Sequence, residues 1–287
     1  MIFVRLSGGL GNQLFQYATA RAIALREGVD VVIDDSWYEN IGSQDTHRSY
    51  ELEYFNISHK KISSFQKRAL RISRLNFIKK INTKILPMVF EEKNLKFDKK
   101  TESLTKNSYL IGYWQSYKYF DHAYSFLIKD LTSNLKIPTE YLEVFRGQKN
   151  INSVAVHVRR GDYTSSKNSE IHGICSLDYY QRAFLIIVKN IIEPHFFIFS
   201  DDIDWAKKHI VPPGKVVYVN DDGSNSGVQD FLLMKECKNQ IIANSTFSWW
   251  AAYLNENPKK IVICPKKWFS NKDYSQDDLI PKSWVQC

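Results

Sequence analysis

Residues 154–163 read Val154-Ala155-Val156-His157-Val158-Arg159-Arg160-Gly161-Asp162-Tyr163. A short, continuous apolar run that stops at two arginines and a glycine is the pattern of a strand buried on both faces. Strand side chains alternate, so Val154, Val156 and Val158 share one face and Ala155, His157 and Arg159 the other. Outward from this stretch the pattern repeats. A helix spans Leu177 to Ile191, with Ser176 placed as its N-cap. Strands at His195–Phe199, Val216–Val219, Gln240–Ala243 and Lys260–Cys264 then alternate with helices at Ile203–His209, Val228–Glu236 and Phe247–Leu254. Strands alternating with helices predict a parallel sheet covered on both faces.

Toward the N-terminus the chain opens as β-α-β. Ile2–Leu6 is a strand and Ser7-Gly8-Gly9-Leu10-Gly11 a turn. A helix carries Leu14, Tyr17, Ala18, Ala22 and Leu25, Gly28 stops it, and Val29–Ile33 is the second strand. Ser64 to Leu86 sets basic residues between apolar ones and reads as one or two amphipathic helices. Such a segment either packs on the domain or docks on anionic lipid. Tyr109–Gln115 reads as a strand and Tyr119–Leu131 as a helix. The polar, turn-rich stretch 138–152 places a domain boundary near residue 150. The expected architecture is α/β, with units 1–150 and 151–287 in tandem.

The 287 residues are 44% hydrophobic and 24% charged, which excludes a disordered chain. A net charge of +8 suits nucleic acid, an anionic membrane surface or a phosphorylated substrate, and does not choose among them. No nucleic-acid-binding motif is present. The first residues read as strand and turn rather than a signal peptide, and no apolar run reaches the ~20 residues that span a bilayer. Cys175, Cys237, Cys264 and Cys287 are scattered, as reduced thiols in a cytoplasm would be.

In open parallel sheets ligands bind beyond the carboxyl ends of the strands. After the first strand come Gly8-Gly9-Leu10-Gly11-Asn12, either a structural turn or a loop facing a ligand. After Val158 come Arg159 and Arg160, suited to a diphosphate, with Asp162 close enough to pair with one of them. After Phe199 come Asp201 and Asp202. A carboxylate there either accepts hydrogen bonds from a guanine or caps the next helix. Asp202-Ile203-Asp204 also fits a D-x-D metal motif, a common chance match. After Ala243 come Asn244-Ser245-Thr246 at a helix start, a phosphate cradle or a plain cap. The Trp249-Trp250 pair reads as core more than as a sugar platform.

Taken in order, GGLGNQLFQY (8–17), GYWQSYKYF (112–120), HVRRGDY (157–163), SDDIDWAK (200–207) and NSTFSWWAA (244–252) resemble the signature blocks of the α-1,2-fucosyltransferase family, glycosyltransferase family 11. The lack of a membrane anchor looks like its bacterial members. The resemblance implies a GT-B fold, two Rossmann-like domains facing across a cleft. Residues 1–150 would bind mainly acceptor and 151–287 GDP-fucose. It implies inverting transfer of L-fucose to the 2-hydroxyl of a terminal galactose, on a surface glycan such as O-antigen or its lipid-linked precursor, without an essential metal. On that reading Arg159 or Arg160 neutralises the leaving diphosphate. Ser245 and Thr246 contact phosphate beside Asn244, Asp201 or Asp202 reads guanine, and Gly9, Gly11 and Asn12 line the cleft from the other domain. Asp162 and His157 are the candidates for a general base. The protein would be cytoplasmic, with a peripheral inner-membrane contact through residues 64–86. Alternatives are a transferase using another sugar nucleotide or linkage, and a non-catalytic glycan-binding protein.

Overall fold

A computed structural model describes residues 1–39, 41–42, 46–73, 86–137, 151–161, 173–220, 223–270 and 276–287. The chain divides into two compact units. Met1–Asn134 with Asp277–Ile280 form the first, and Leu135–Gln276 with Pro281–Cys287 the second. The division falls between Asn134 and Leu135, ahead of the boundary expected near residue 150.

Among the described residues the first unit holds five parallel strands: β1 (Ile2–Arg5), β2 (Val31–Asp34), β3 (Lys60–Lys61), β4 (Met88–Glu91) and β5 (Ser108–Ile111). Their order is β3-β2-β1-β5-β4. The chain runs outward from β1 through β2 to β3, then returns on the other side, so the order reverses between β1 and β5. Helix α1 (Leu10–Glu27) joins β1 to β2 and is buried nearly all round, including Gln13, Gln16 and Thr19. Its buried amides are satisfied. Gln16 accepts from the Ser7 amide at 3.0 Å and donates to the Gly112 carbonyl at 3.0 Å, tying the two edges of that reversal together. Gly28 ends α1 at φ 62°, a left-handed position that glycine adopts without steric cost.

Helix α2 (Ser36–Glu39) follows β2, and α3 (Ser64–Ser73) is the described part of the basic segment; residues 74–85 lie outside the described residues. Leu70 of α3 is buried with Phe3, Val32 and Tyr109, so this helix packs on the sheet. Two expectations shift here. The strand at 109–115 stops at Ile111, because the chain turns at Gly112 and Trp114, the latter at φ 58°. The helix expected from Tyr119 opens as two 3-10 turns before α4 (Tyr124–Asp130). Strand β4 was not expected: its four residues lie at the sheet edge, half exposed, without an alternating pattern.

The second unit holds β6 (Asn152–Val158), β7 (Pro194–Ser200), β8 (Lys215–Tyr218), β9 (Asn239–Ile241), β10 (Val262–Cys264) and β11 (Val285–Gln286), all parallel, in the order β11-β10-β9-β6-β7-β8. Helices α5 (Leu177–Asn190), α6 (Ile203–His209), α7 (Gly227–Glu236) and α8 (Thr246–Tyr253) connect them. The bounds follow the sequence reading closely. Ser176 caps α5 by accepting from the Tyr179 amide. The face carrying Val154, Val156 and Val158 packs with Phe196, Ile198 and Tyr179, as the alternation requires. Here the strand order reverses between β6 and β9, a topological switch point where α/β sheets bind ligands.

Among the described residues, no helix is long and apolar enough to cross a membrane.

Candidate active site

The carboxyl edge of β6 carries the charged half of the site. Arg159 Nη1 pairs with Asp201 Oδ2 at 2.9 Å, and Arg160 Nε with Asp202 Oδ2 at 3.3 Å. The Arg160 amide donates to Asp201 Oδ1 at 2.8 Å. Its guanidinium lies 3.8 Å from the centre of the Trp205 ring, within cation–π range. Both aspartates follow β7, the neighbouring strand, so one hydrogen-bonded strand pair sets both arginines. Gly161 is needed for this fit: a Cβ there would stand 2.6 Å from Asp201 Oδ2.

Asp162, which the sequence places close enough to pair with one of the arginines, lies outside the described residues. Among the described residues, Asp201 and Asp202 pair with them. Asp202 also caps α6, its Oδ1 accepting from the Trp205 amide at 3.2 Å. Every oxygen of the two carboxylates thus accepts at least one hydrogen bond from the protein. A guanine would have to share those oxygens, and a metal at Asp202 would compete with a guanidinium.

At the end of β9, the Asn244 amide donates to the carbonyls of Gly173 and Trp268, both at 3.2 Å, and its oxygen accepts from the Cys175 thiol at 3.4 Å. Asn244 braces the loops behind the site. Ser245 is the N-cap of α8, buried and without a side-chain capping bond. The start of α8 with Ser245 and Thr246 therefore sits beside the β6 edge, at the switch point. Trp249 and Trp250 are fully buried, which settles them as core.

His157 is 5% exposed, its ring lies 5.5 Å from that of Phe247, and its Nδ1 has no hydrogen-bond partner. Burial, aided by the Arg159 charge, pushes its pKa down to about 3. Near neutral pH it is an uncharged imidazole and a feeble proton acceptor, which weakens its claim as general base. The shift also makes a stability statement. The unfolded chain binds a proton near pH 6.5 and the folded one only near 3, so stability falls as pH drops through that window. His157→Gln is expected to flatten the acid limb of a stability–pH curve between those values; an unchanged limb in urea titrations would show that His157 does not carry it.

The corresponding edge of the first sheet has different chemistry. The glycine turn does not present an open anion site, because Glu51 Oε2 already accepts from the Leu10 amide at the start of α1, at 3.1 Å. That carboxylate fills the place a phosphate would take. Gly9 packs against Arg48, Gly11 is buried, and Asn12 Oδ1 accepts from Gln115 Nε2 at 3.0 Å. Glu51 and Trp205 were missed, as was Glu92, whose Oε2 accepts from the Tyr113 amide at 2.7 Å and the Trp114 amide at 3.0 Å just past β5. So was Asp230 on α7, which accepts from Asn220 and Asn225 at the end of β8 and whose pKa burial pushes up to about 6. Trp205 had a signal, since it lies just past the end of β7.

The sequence matches the model of glycosyl transferase family 11 over residues 1–287. The chain belongs to that family. It is 32% identical to the O-antigen biosynthesis glycosyltransferase WbnK of Escherichia coli, covering 98% of each chain. It is also 32% identical to an Escherichia coli alpha-1,2-colitosyltransferase, covering 100% of this chain and 98% of that one. A Bos taurus galactoside alpha-(1,2)-fucosyltransferase 2 is 28% identical over 50% of this chain and 44% of its own. Among solved structures, a mutant of Arabidopsis thaliana FUT1 in complex with GDP matches with a TM-score of 0.52 and 11% identity, over 99% of this chain and 75% of that one. The alpha-1,6-fucosyltransferase NodZ soaked with GDP-fucose matches at 0.50 and 16%, over 91% and 94%. At such identities the likeness carries the fold alone: two Rossmann-like units of the GT-B type.

Proposed function

We propose that this family 11 member transfers L-fucose from GDP-β-L-fucose to the 2-hydroxyl of a terminal galactose, forming an α-1,2 linkage on a surface glycan such as O-antigen. The observation that carries the reading is the pair of arginines fixed by Asp201 and Asp202 at the switch point of the second sheet. Two fixed cations beside a helix N-terminus suit a nucleotide diphosphate. Two relatives covered to 98% of their length support the reading by their names, one an O-antigen biosynthesis glycosyltransferase and the other an alpha-1,2-colitosyltransferase.

In the proposed reaction the acceptor oxygen attacks the anomeric carbon from the face opposite the nucleotide. The bond from that carbon to the phosphate oxygen breaks, and its electron pair leaves on GDP. Arg159 or Arg160 stabilises the growing negative charge, with Ser245 and Thr246 contacting phosphate. Electrostatic stabilisation of this kind is usually the largest single contribution. The acceptor's proton leaves last, to Asp162 or to water. Positive charge from the arginines makes an essential metal unnecessary on this reading. Asp201 or Asp202 takes the base as well as its arginine. Work on a lipid-linked acceptor would bring the protein to the cytoplasmic membrane surface, through the basic segment 64–86, where Phe65 is exposed.

One observation supports a second donor. A relative of equal identity, covering 100% of this chain and 98% of its own, is named as an alpha-1,2-colitosyltransferase. The deciding assay is GDP release from GDP-fucose and from GDP-colitose, with a panel of β-galactosides and EDTA present. Acceptor-dependent release, with an α-1,2 product by NMR, fixes donor, linkage and metal independence. Galactoside binding with no GDP binding would make the chain a glycan-binding protein and end the proposal.

A further inference from the structure

Helix α6 is only seven residues long, yet its first turn is tied to one guanidinium. Asp202 makes the tie. Its Oδ1 accepts from the Trp205 amide at 3.2 Å and so fixes the start of the helix. Its Oδ2 accepts from Arg160 Nε at 3.3 Å. One aspartate therefore places a ring and a cation together. The Arg160 guanidinium carbon stands 3.8 Å from the centre of the Trp205 ring. One turn further on, His209 meets the same indole, its ring stacked at 4.4 Å and 17°. His209 is held in turn, because its Nδ1 lies 2.8 Å from the Trp205 carbonyl oxygen. A carbonyl only accepts, so Nδ1 carries the proton. Arg160, Trp205 and His209 are thus stacked flat groups joined through one indole.

This stacking has two consequences. A carboxylate on Nε alone holds a guanidinium by one edge and lets it swing; a ring against its face fixes the plane. A guanidinium has five N–H donors, and Asp202 takes the one on Nε. Among the described residues, the four on Nη1 and Nη2 have no protein partner. They form the planar fork that matches two phosphate oxygens. The second consequence concerns the indole. Arg160 and His209 both lie against it, so no ring face is left open for a nucleobase. Trp205 is therefore a support for the arginine rather than a platform for the base. Ordering a long side chain before the ligand arrives removes that cost from binding. We propose that Trp205 is the positioning residue of the diphosphate grip: backed by His209, it holds the Arg160 guanidinium flat and leaves the Nη fork for the phosphates.

This rests on the donor reading, so the probes are chosen to separate the two. Affinities of the full chain for GDP and for inorganic pyrophosphate are measured by calorimetry. Trp205→Leu is expected to weaken both about tenfold, the equivalent of ~1.4 kcal/mol. Trp205→Phe, which keeps a ring under the cation, should stay within about threefold. Arg160→Lys keeps the charge without the planar fork and should lose about tenfold as well. The deciding comparison is a double-mutant cycle. In an Arg160→Ala background Trp205→Leu should cost less than about twofold, whereas a general defect of α6 would cost about tenfold again. Additive losses, or Arg160→Lys at wild-type affinity, overturn the positioning role and leave the donor reading standing. A loss confined to GDP places the indole on the base and also overturns it. Trp205-dependent pyrophosphate binding with no tighter binding of GDP keeps the grip and removes the guanine nucleotide as donor. A wild type that binds neither probe ends both.

Discussion

Arg159→Ala is expected to lower kcat by about 10²–10³, the effect of removing one donor that stabilises developing charge. The guanidinium is held by Asp201 at the β6 edge and its side chain is only 20% exposed, so little reorganisation is needed when charge builds on a leaving phosphate. The competing explanation is a structural ion pair. Asp201→Asn separates the two. If Arg159 serves only the pair, breaking it from either side should cost alike. If Arg159 acts on the leaving group, Asp201→Asn should be much milder than Arg159→Ala. Arg160→Ala reads the same question for the second arginine, which Asp202 and Trp205 hold. Gly161→Ala offers an independent route, because its Cβ would push against Asp201 and disturb Arg159 with both arginines intact. Single-turnover rates for Arg159→Ala and Arg160→Ala that both match the wild type would remove the arginines from the chemistry.

The second unit was legible because its elements are locally determined. The strand at 195–199 is a run of bulky apolar residues, helix 203–209 starts at a capping aspartate, and Ser176 announces α5. Each signal lies within a few residues of the element it sets. The first unit was harder for the opposite reason. Strand β4 exists because β5 pairs with it, not because Met88-Val89-Phe90-Glu91 alternates. The same limit governs the site. Arg159 and Arg160 stood out beside a strand end, yet Asp201 and Asp202, which pair with them, follow a helix and a further strand and are out of reach of local reading. Glu51 and Glu92 left no local trace, since a carboxylate that reaches backbone amides of a distant turn looks in sequence like any surface acid. Sequence reading singled out charged groups at strand ends; tertiary pairing decides which partners hold them.

Trp249→Ala is expected to destabilise the fold by about 3–5 kcal/mol. Trp249 sits at position four of α8, in the block that also supplies Ser245 and Thr246, and an exposed indole there would make a good sugar platform. Its surroundings decide otherwise. The residue is fully buried, its ring stacks on Tyr253 at 4.8 Å, meets Trp250 edge-on at 5.2 Å and packs on Trp284 at 5.5 Å. Truncation therefore opens a cavity among rigid rings that cannot close over it, which sets the cost at the upper end for core substitutions. A loss of that size is a large fraction of the ~5–15 kcal/mol that holds a typical domain together. It also reaches function indirectly, since α8 begins at the proposed phosphate contacts and Trp284 belongs to the chain's last turn before β11. Thermal unfolding and acceptor KM measured on the same variant separate the readings. A melting temperature several degrees lower, with KM for the galactoside unchanged in the protein that remains folded, is the core result. An unchanged melting temperature with a raised acceptor KM would instead place this indole on the substrate.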